Sequence, residues 1–299
     1  MSTHPTPASA ARPRVTLGAL AAKKAAGEPI VMVTACDFPG AQIVEAAGVD
    51  TVLVGDSAAM TVLGYDSTVP VTVDEMIMLT SAVRRGLWAP LLVADLPFGS
   101  YEASDELAIA TAQRFIKESG ADAVKIERGG TTVERARALV AAGIPVVGHV
   151  GLTPQTATSL GGYRAQGRTA DGALRVIEDA LALQDAGCSM LVIEAVPAEV
   201  TRAVMPHMQI PVIGIGAGAD ADGQVLVFHD LLGIYGGSAA RFVKRYADLR
   251  TEMVAGVSRY AEEVRGGEYP AVEHTYSMRA DEAEAFAARA AEGFGFGSR

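Results

Sequence analysis

The chain has 299 residues, 49% of them hydrophobic and 20% charged, with a formal net charge of −10. That is globular composition with enough apolar surface for a large core. The acidic balance argues against a nucleic-acid surface, which needs clustered Lys and Arg, but one local Lys suffices for a small anionic substrate.

Met1 to Arg12 is rich in Ala, Pro and Thr and has no apolar signal core, so residues 1–12 read as a disordered lead. Thr16 caps a helix over Leu17 to Ala26 that Gly27 ends. A first strand covers Ile30 to Ala35, and a short helix from Pro39 to Ala47 closes at Gly48. The second strand, Thr51-Val52-Leu53-Val54, stops at Gly55-Asp56-Ser57. A long connection runs from Ser57 to Val71, the kind that is often functional. Thr72 and Glu75 give a capping box for a helix through Arg85. The third strand ends at Asp95, where Pro97 forbids continuation. Ser104 opens a helix that Gly120 ends, and the fourth strand ends at Glu127. Thr131 and Glu134 repeat the capping-box pattern, Gly143 stops that helix, and the fifth strand ends at His149. A second long connection, Gly151 to Thr169, leads to a helix from Asp171 to Ala186 and a sixth strand ending at Glu194. A helix from Pro197 to Met208, a seventh strand from Pro211 to Gly216 and a short eighth from Val225 to Phe228 follow. Ser238 to Val264 reads as one long helix. Beyond it lies an extension, 266–299, with an exposed helix over Asp281 to Glu292 and a loose Gly-Phe-Gly-Phe-Gly end.

The repeating cadence is helix, Gly, apolar strand, polar ending. Apolar strands without polar alternation suit a parallel sheet covered on both faces. Some eight βα units over residues 13–265 predict a single-domain (β/α)8 TIM barrel, whose usual length is roughly 250 residues. The competing doubly wound sheet lacks support, because no Gly-x-Gly-x-x-Gly follows the first strand. Cys36 and Cys188 are too few for a disulfide framework or a thiolate metal site and sit in apolar context, so they read as reduced core residues. No apolar stretch approaches the roughly 18 residues of a membrane span. A cytoplasmic protein is expected.

In such a barrel the C-terminal strand ends build the active site. Asp56, Asp95 and Glu127 then converge, and three carboxylates close together need a compensating cation. Carboxylates without cysteine favour Mg²⁺; the bland alternative is that each acid caps the following turn. Lys125 and Glu127 share a strand face, so both point into the barrel or both out: inside, Lys125 partners a substrate anion or the metal site; outside, it snorkels past a helix. Glu194, expected across the ring from the acids and in an apolar surround that raises its pKa, is a candidate proton acceptor. His149 either polarises a carbonyl, binds an anion or only holds a loop. Ser57 either donates to a substrate carboxylate or shapes its turn. Gly214-Ile215-Gly216-Ala217-Gly218 is a weak phosphate-site signal.

Taken together, Val54-Gly55-Asp56-Ser57, Gly64 to Thr72, Ala94-Asp95-Leu96-Pro97-Phe98, Val124-Lys125-Ile126-Glu127, Gly148 to Gln155, Gly161-Gly162-Tyr163-Arg164, Gln166-Gly167-Arg168, Pro211 to Gly218 and Asp222 to Val227 resemble the ketopantoate hydroxymethyltransferase family. The resemblance covers about Val15 to Tyr276. It implies a (β/α)8 barrel that transfers a hydroxymethyl group from 5,10-methylenetetrahydrofolate to 3-methyl-2-oxobutanoate, giving 2-dehydropantoate for pantothenate and coenzyme A, through an enolate stabilised by Mg²⁺. It implies Asp56, Asp95 and Glu127 at the metal, and Asp56, Ser57, Asp95 and Lys125 at the 2-oxo acid. It implies Glu194 as the proton acceptor and a homodecamer of two five-membered rings. Three positions depart from the family pattern: Cys36 stands where Tyr is usual, Ala58-Ala59 replaces Leu-Gly, and Arg128 precedes Gly129-Gly130. The rival reading is another Mg²⁺-dependent 2-oxo-acid carbon–carbon lyase or ligase barrel of the isocitrate lyase type. That group relies on a cysteine in an active-site loop, and neither cysteine here occupies one. A non-catalytic phosphate or flavin barrel and a structural ring protein are readings of other classes.

Overall fold

The computed structural model of the chain describes residues 12–237 and 240–294. The expected disordered lead lies outside the described residues, except for Arg12, whose Nη2 donates to the Val49 carbonyl at 3.2 Å. Gly295 to Gly297, the larger part of the expected loose end, also lie outside them. The chain divides into two compact units, Met1–Ala247 and Asp248–Arg299.

The first unit is built on β1 (Ile30–Thr34), β2 (Thr51–Val54), β3 (Leu91–Asp95), β4 (Ala123–Glu127), β5 (Val146–Gly151), β6 (Met190–Glu194), β7 (Val212–Ile215) and β8 (Gly223–Leu226). Every neighbouring pair is parallel, and β8 pairs back onto β1, closing the barrel. The helices of this unit are α1 (Leu17–Ala26), α2 (Phe38–Ala46), α3 (Ala58–Thr61), α4 (Val73–Gly86), α5 (Asp105–Arg114), α6 (Thr132–Ala141), α7 (Ala170–Asp185), α8 (Ala198–Val204) and α9 (Phe228–Leu231). The alternation of strand side chains makes two cores. Met32, Leu53, Leu91, Val93, Val147, Met190, Val192 and Ile213 fill the barrel, with Leu20 of α1 packed among them. Val52, Leu92, Val124, Ile126, Leu191 and Ile193 face outward into the layer shared with the helices. This parity positions the site. Inward Leu91 and Val93 put Asp95 inside, and inward Val147 does the same for His149.

Several local expectations hold and several do not. Thr72 and Glu75 form the full capping box that starts α4. Thr131 does not cap α6: it already has helical φ of −63° and makes no side-chain cap bond. The preceding turn, with Arg128 at φ 77° and Gly130 at φ 62°, winds the chain before Thr131 is reached. The eighth strand runs two residues earlier than expected, because Gly223 pairs with both Ile30 and Ile213 while Phe228 N donates to Thr34 Oγ1 and enters α9. The expected helix from Ser238 starts only at Leu249; Ser238 and Ala239 lie outside the described residues and Ala240 to Asp248 is irregular. The physical reason is packing: Phe242 seats against Gly216 and the barrel interior, which a continuous helix would forbid.

The second unit holds α10 (Leu249–Gly266) and α11 (Ala280–Phe294). α10 buries no side chain and carries Met253, Val254, Val257, Tyr260 and Val264 exposed at helical spacing. Among the described residues no helix is long and apolar enough to cross a membrane.

Gly151 closes β5 opposite Glu194 with φ 93°, and an added Cβ would run into the Glu194 carbonyl. Gly151→Ala is therefore expected to cost about 1–3 kcal/mol in backbone strain. It should lower the urea midpoint without changing the m-value; an unchanged midpoint would show that this close approach is not what holds the strand end.

Candidate active site

The C-terminal strand ends carry one continuous row of ionisable side chains. Register makes the neighbours: Asp95 pairs with Lys125 across β3 and β4, and Glu127 with His149 across β4 and β5. Lys125 Nζ lies 2.7 Å from Asp95 Oδ1 and 3.4 Å from Glu127 Oε1. Glu127 Oε1 is 3.0 Å from His149 Nδ1, and His149 Nε2 is 3.2 Å from Glu194 Oε2. Asp56 joins from the turn after β2, where its backbone N–H donates to Asp95 Oδ2 at 3.0 Å. Glu194, on β6 and so across the ring from Asp56 on the β2 side, is nonetheless tied to the acids through His149. It stands one imidazole away from Glu127, on the strand next to His149.

Among the described residues none of these acids caps the α-helix that follows its own strand, though Glu127 accepts the Gln155 N–H at the turn after β5. Ser57, not Asp56, precedes α3, and the Ser57 hydroxyl makes no cap bond there and lines the cavity wall. Gly55 makes this possible, since a Cβ there would come within 3.0 Å of Ser57 Oγ and 3.6 Å of Asp95 Oδ2.

Burial dominates the electrostatics. It pushes Asp56 well above the usual carboxylate range, with repulsion from Asp95 and Glu127 adding to it; Lys125 and a hydrogen bond from Gln155 oppose. Burial also raises Asp95, against the pull of Lys125. Glu127 goes the other way: burial would raise it, but Lys125, His149 and a hydrogen bond from the Gln155 backbone bring it down to about 2. For His149, burial and Lys125 favour the neutral ring, but Glu127 and hydrogen bonds to Glu127 and Glu194 prevail and raise it to about 9. Lys125 is raised by the same balance, its burial outweighed by Asp95, Glu127 and Asp56.

Above this floor lies a cavity of about 680 Å³. Its walls include Met60, Thr68, Tyr163, Arg164 and Phe242. The two long connections meet there, with Tyr163 Oη 3.9 Å from Met60 Sδ. The glycines after β7 do not form an open cradle, because the space a Gly216 side chain would need is filled by the Phe242 ring. No cysteine lines the cavity among the described residues. Cys36 and Cys188 are buried free thiols, both pushed up to about 12 by burial, with Asp37 adding to the shift at Cys36. Arg128 is exposed, and only its backbone N–H reaches the row, donating to the His149 carbonyl at 2.9 Å. Ala58 and Ala59 are fully buried in the first turn of α3.

The donors fit a hard divalent ion with an incomplete protein shell. Asp95 Oδ1 is buried without a hydrogen-bond partner beyond its ion pair, and Asp56 Oδ1 has no hydrogen-bond partner among the described residues. Among those residues no group of three or more acidic, histidine or cysteine side chains is arranged to hold a metal ion by itself. An Mg²⁺-type ion does not need one, since it keeps waters and takes substrate oxygens.

Two residues at this site have no role in the sequence reading. Tyr101, only 2% exposed, donates to Gln155 Oε1 at 2.6 Å. Gln155 touches both Asp56 and Glu127. Gln155 was visible only as the last residue of Thr153-Pro154-Gln155; Tyr101, a lone aromatic in a loop, gave no signal.

The class is that of parallel eight-stranded barrels with an ionic floor at the C-terminal rim. In fold the chain is similar to phosphoenolpyruvate phosphomutase from Streptomyces platensis subsp. rosaceus, with a TM-score of 0.55 at 16% identity over 91% of this chain and 99% of that one. It is likewise similar to phosphonopyruvate hydrolase, with a TM-score of 0.56 at 12% identity over 93% and 98%. At such identities the likeness is one of architecture. Sequence goes further. Residues 14–272 match the ketopantoate hydroxymethyltransferase family. The chain is 54% identical to 3-methyl-2-oxobutanoate hydroxymethyltransferase of Frankia alni, over 89% of this chain and 87% of that one. It is 53% identical to the protein of that name from Moorella thermoacetica, over 89% and 99%. The chain belongs to the ketopantoate hydroxymethyltransferase family, a family of hydroxymethyl-transferring enzymes.

His149 gives the site a pH signature. Its folded pKa of about 9 exceeds the ordinary 6.5, so the stability it contributes is complete below 6.5 and is lost as pH rises through 9. At 1.36 kcal/mol per unit the ceiling is about 3 kcal/mol. Denaturant midpoints measured across that window should fall for the wild type and stay flat for His149→Gln. Parallel profiles would remove His149 from the account.

Proposed function

We propose that this chain transfers a hydroxymethyl group from 5,10-methylenetetrahydrofolate to 3-methyl-2-oxobutanoate, forming 2-dehydropantoate in the branch that leads to pantothenate. The observation that carries the reading is the buried row from Asp56 through Lys125 to Glu194, in a chain about half identical to relatives bearing that activity's name.

Each side chain then has a task. The Lys125 ammonium and the Ser57 hydroxyl receive the carboxylate of the 2-oxo acid. Asp56, Asp95 and Glu127 would hold Mg²⁺, with the Glu127 oxygens already engaged by His149 and the Gln155 N–H. The ion, when bound, supplies Lewis-acid stabilisation of the negative charge that develops on the keto oxygen. A divalent ion would offset the burial and mutual repulsion that raise Asp56 and Asp95. Glu194, its side chain 15% exposed, accepts the proton from the carbon next to the carbonyl. Water takes the donor's methylene to the formaldehyde level as tetrahydrofolate leaves with both hydrogens of that water; the deprotonated carbon then bonds to it, and the oxygen takes the proton back from Glu194 to become the hydroxyl. His149 faces Glu194 from the side of the acids and orients it, and also borders the substrate site. Met60, Thr68 and Tyr163 shield the reacting atoms from bulk water.

The exposed apolar stripe of α10 supports a homo-oligomer, which we read, from the family resemblance, as a cytoplasmic homodecamer of two five-membered rings. The rival of the isocitrate lyase type lacks the thiol it needs at the cavity.

The direct test is 2-dehydropantoate formation with and without a chelator: product is expected only with Mg²⁺. Glu194→Gln should lose turnover, by roughly 10²–10⁴-fold for a removed general base, while assembling normally and retaining Mg²⁺ binding. Full activity in that variant would sink the proton-acceptor role. Asp95→Ala should abolish Mg²⁺-dependent binding of the 2-oxo acid; unchanged binding by calorimetry would count against the metal seat.

A further inference from the structure

We propose that Tyr101 and Gln155 are a positioning pair that sets the orientation of Asp56 and Glu127 on the cavity floor. The proposal rests on the functional reading above, and nothing in that reading assigns either residue a part.

Gln155 lies in a single tight turn, Pro154–Thr156, just beyond β5, and is 4% exposed. It reaches the two carboxylates from opposite ends. Its backbone N–H donates to Glu127 Oε2 at 3.1 Å, and its side-chain Nε2 donates to Asp56 Oδ2 at 3.0 Å and to the Leu96 carbonyl at 2.9 Å. One residue therefore spans acids that come from β4 and from the turn after β2.

The direction of the amide is set by its partner. Tyr101 Oη accepts from the Glu127 backbone N–H at 3.2 Å, which leaves its own proton to donate to Gln155 Oε1 at 2.6 Å. With Oε1 held by that donor, the amide nitrogen must face Asp56 and Leu96, both acceptors. Burial pushes the Tyr101 hydroxyl well above its usual range, so it stays a donor. The result is a hydrogen-bonded chain that starts at the Glu127 backbone, runs through Tyr101 and Gln155, and ends on the Asp56 carboxylate. A buried chain of this kind loses its value when one member is missing, because the remaining polar atoms are left unpaired.

The consequence is geometric. Asp56 Oδ2 is pinned by Gln155 and Asp95 Oδ2 by the Asp56 N–H. Asp56 Oδ1 is left without a hydrogen-bond partner among the described residues, on a side chain that lines the cavity. Glu127 has Oε2 held by Gln155 and Oε1 held by Lys125 and His149. Without the pair, Asp56 is free to rotate away from the place where a cation and the 2-oxo acid must meet. Outer partners of ligating groups are typically worth about 10–100-fold in metal affinity or activity.

Three variants test this on the full-length protein: Tyr101→Phe, Gln155→Leu and Gln155→Glu. Each is assayed for its denaturation midpoint, for Mg²⁺ affinity by calorimetry in the absence of 2-oxo acid, and for kcat and KM. Tyr101→Phe should stay folded, weaken Mg²⁺ binding and lower kcat/KM for the 2-oxo acid about 10-fold or more. Gln155→Glu keeps the size of the side chain and the acceptor for Tyr101 but replaces the donor that faces Asp56. It should lose Mg²⁺ affinity at least as severely as Gln155→Leu, a result that packing alone does not produce. If Gln155→Leu fails to fold, Tyr101→Phe, which removes one oxygen, decides the matter. Wild-type Mg²⁺ affinity and kinetics in Tyr101→Phe and Gln155→Glu would overturn the proposal, as would losses that merely track the unfolded fraction. A wild-type protein that binds no Mg²⁺ and makes no product would instead overturn the functional reading.

Discussion

The site depends on one ammonium group held among three buried carboxylates. Lys125 stands 2.7 Å from Asp95 and 3.4 Å from Glu127, with Asp56 contributing to the same field. Removing one partner from such a cluster strands an uncompensated buried charge, which costs several kcal/mol. Because Lys125 can serve both neighbours only when β3 and β4 stand in their observed register, the cluster also ties how these two strands align. The register of β4 with β5 delivers His149 to Glu127, and through the imidazole connects the row to Glu194.

Much of this is legible in the sequence. Apolar runs that stop at Asp95, Glu127, His149 and Glu194 marked the strands and their rim, and the parity of Lys125 with Glu127 placed both on one face. Regular periodicity was the signal in each case. Where periodicity ends, reading fails. Tyr101 and Gln155 lie in irregular segments, and their importance comes from a meeting in space that spacing does not encode. Phe242 misled in the opposite sense: its segment has helical composition, yet burial against Gly216 outweighs local propensity. At Thr131 a sequence pattern for a cap was present, but the left-handed turn before it had already directed the chain.

Architecture and chemistry separate cleanly in this molecule. Barrels with TM-scores of 0.55 and 0.56 share its fold at 16% and 12% identity, and a fold of this kind supports many reactions. What narrows the choice is the set of side chains on the rim. An acid–lysine–histidine–glutamate row with buried, unreactive thiols suits proton removal from an acidified carbon rather than chemistry that uses a cysteine.

Arg128 and Ala195 follow Glu127 and Glu194 directly, and both hold left-handed backbone, with φ of 77° and 47°. Neither has the freedom of glycine, so each turn carries strain of the order of 1–3 kcal/mol. The two glutamates of the row are therefore aimed by bent backbone immediately behind them. For protein engineering this is an awkward place to be generous. Replacement by glycine would relieve the strain, but would loosen the two hinges on which the direction of Glu127 and Glu194 turns. Stability and the aim of these two side chains are in competition at two exits of the same barrel, those of β4 and β6.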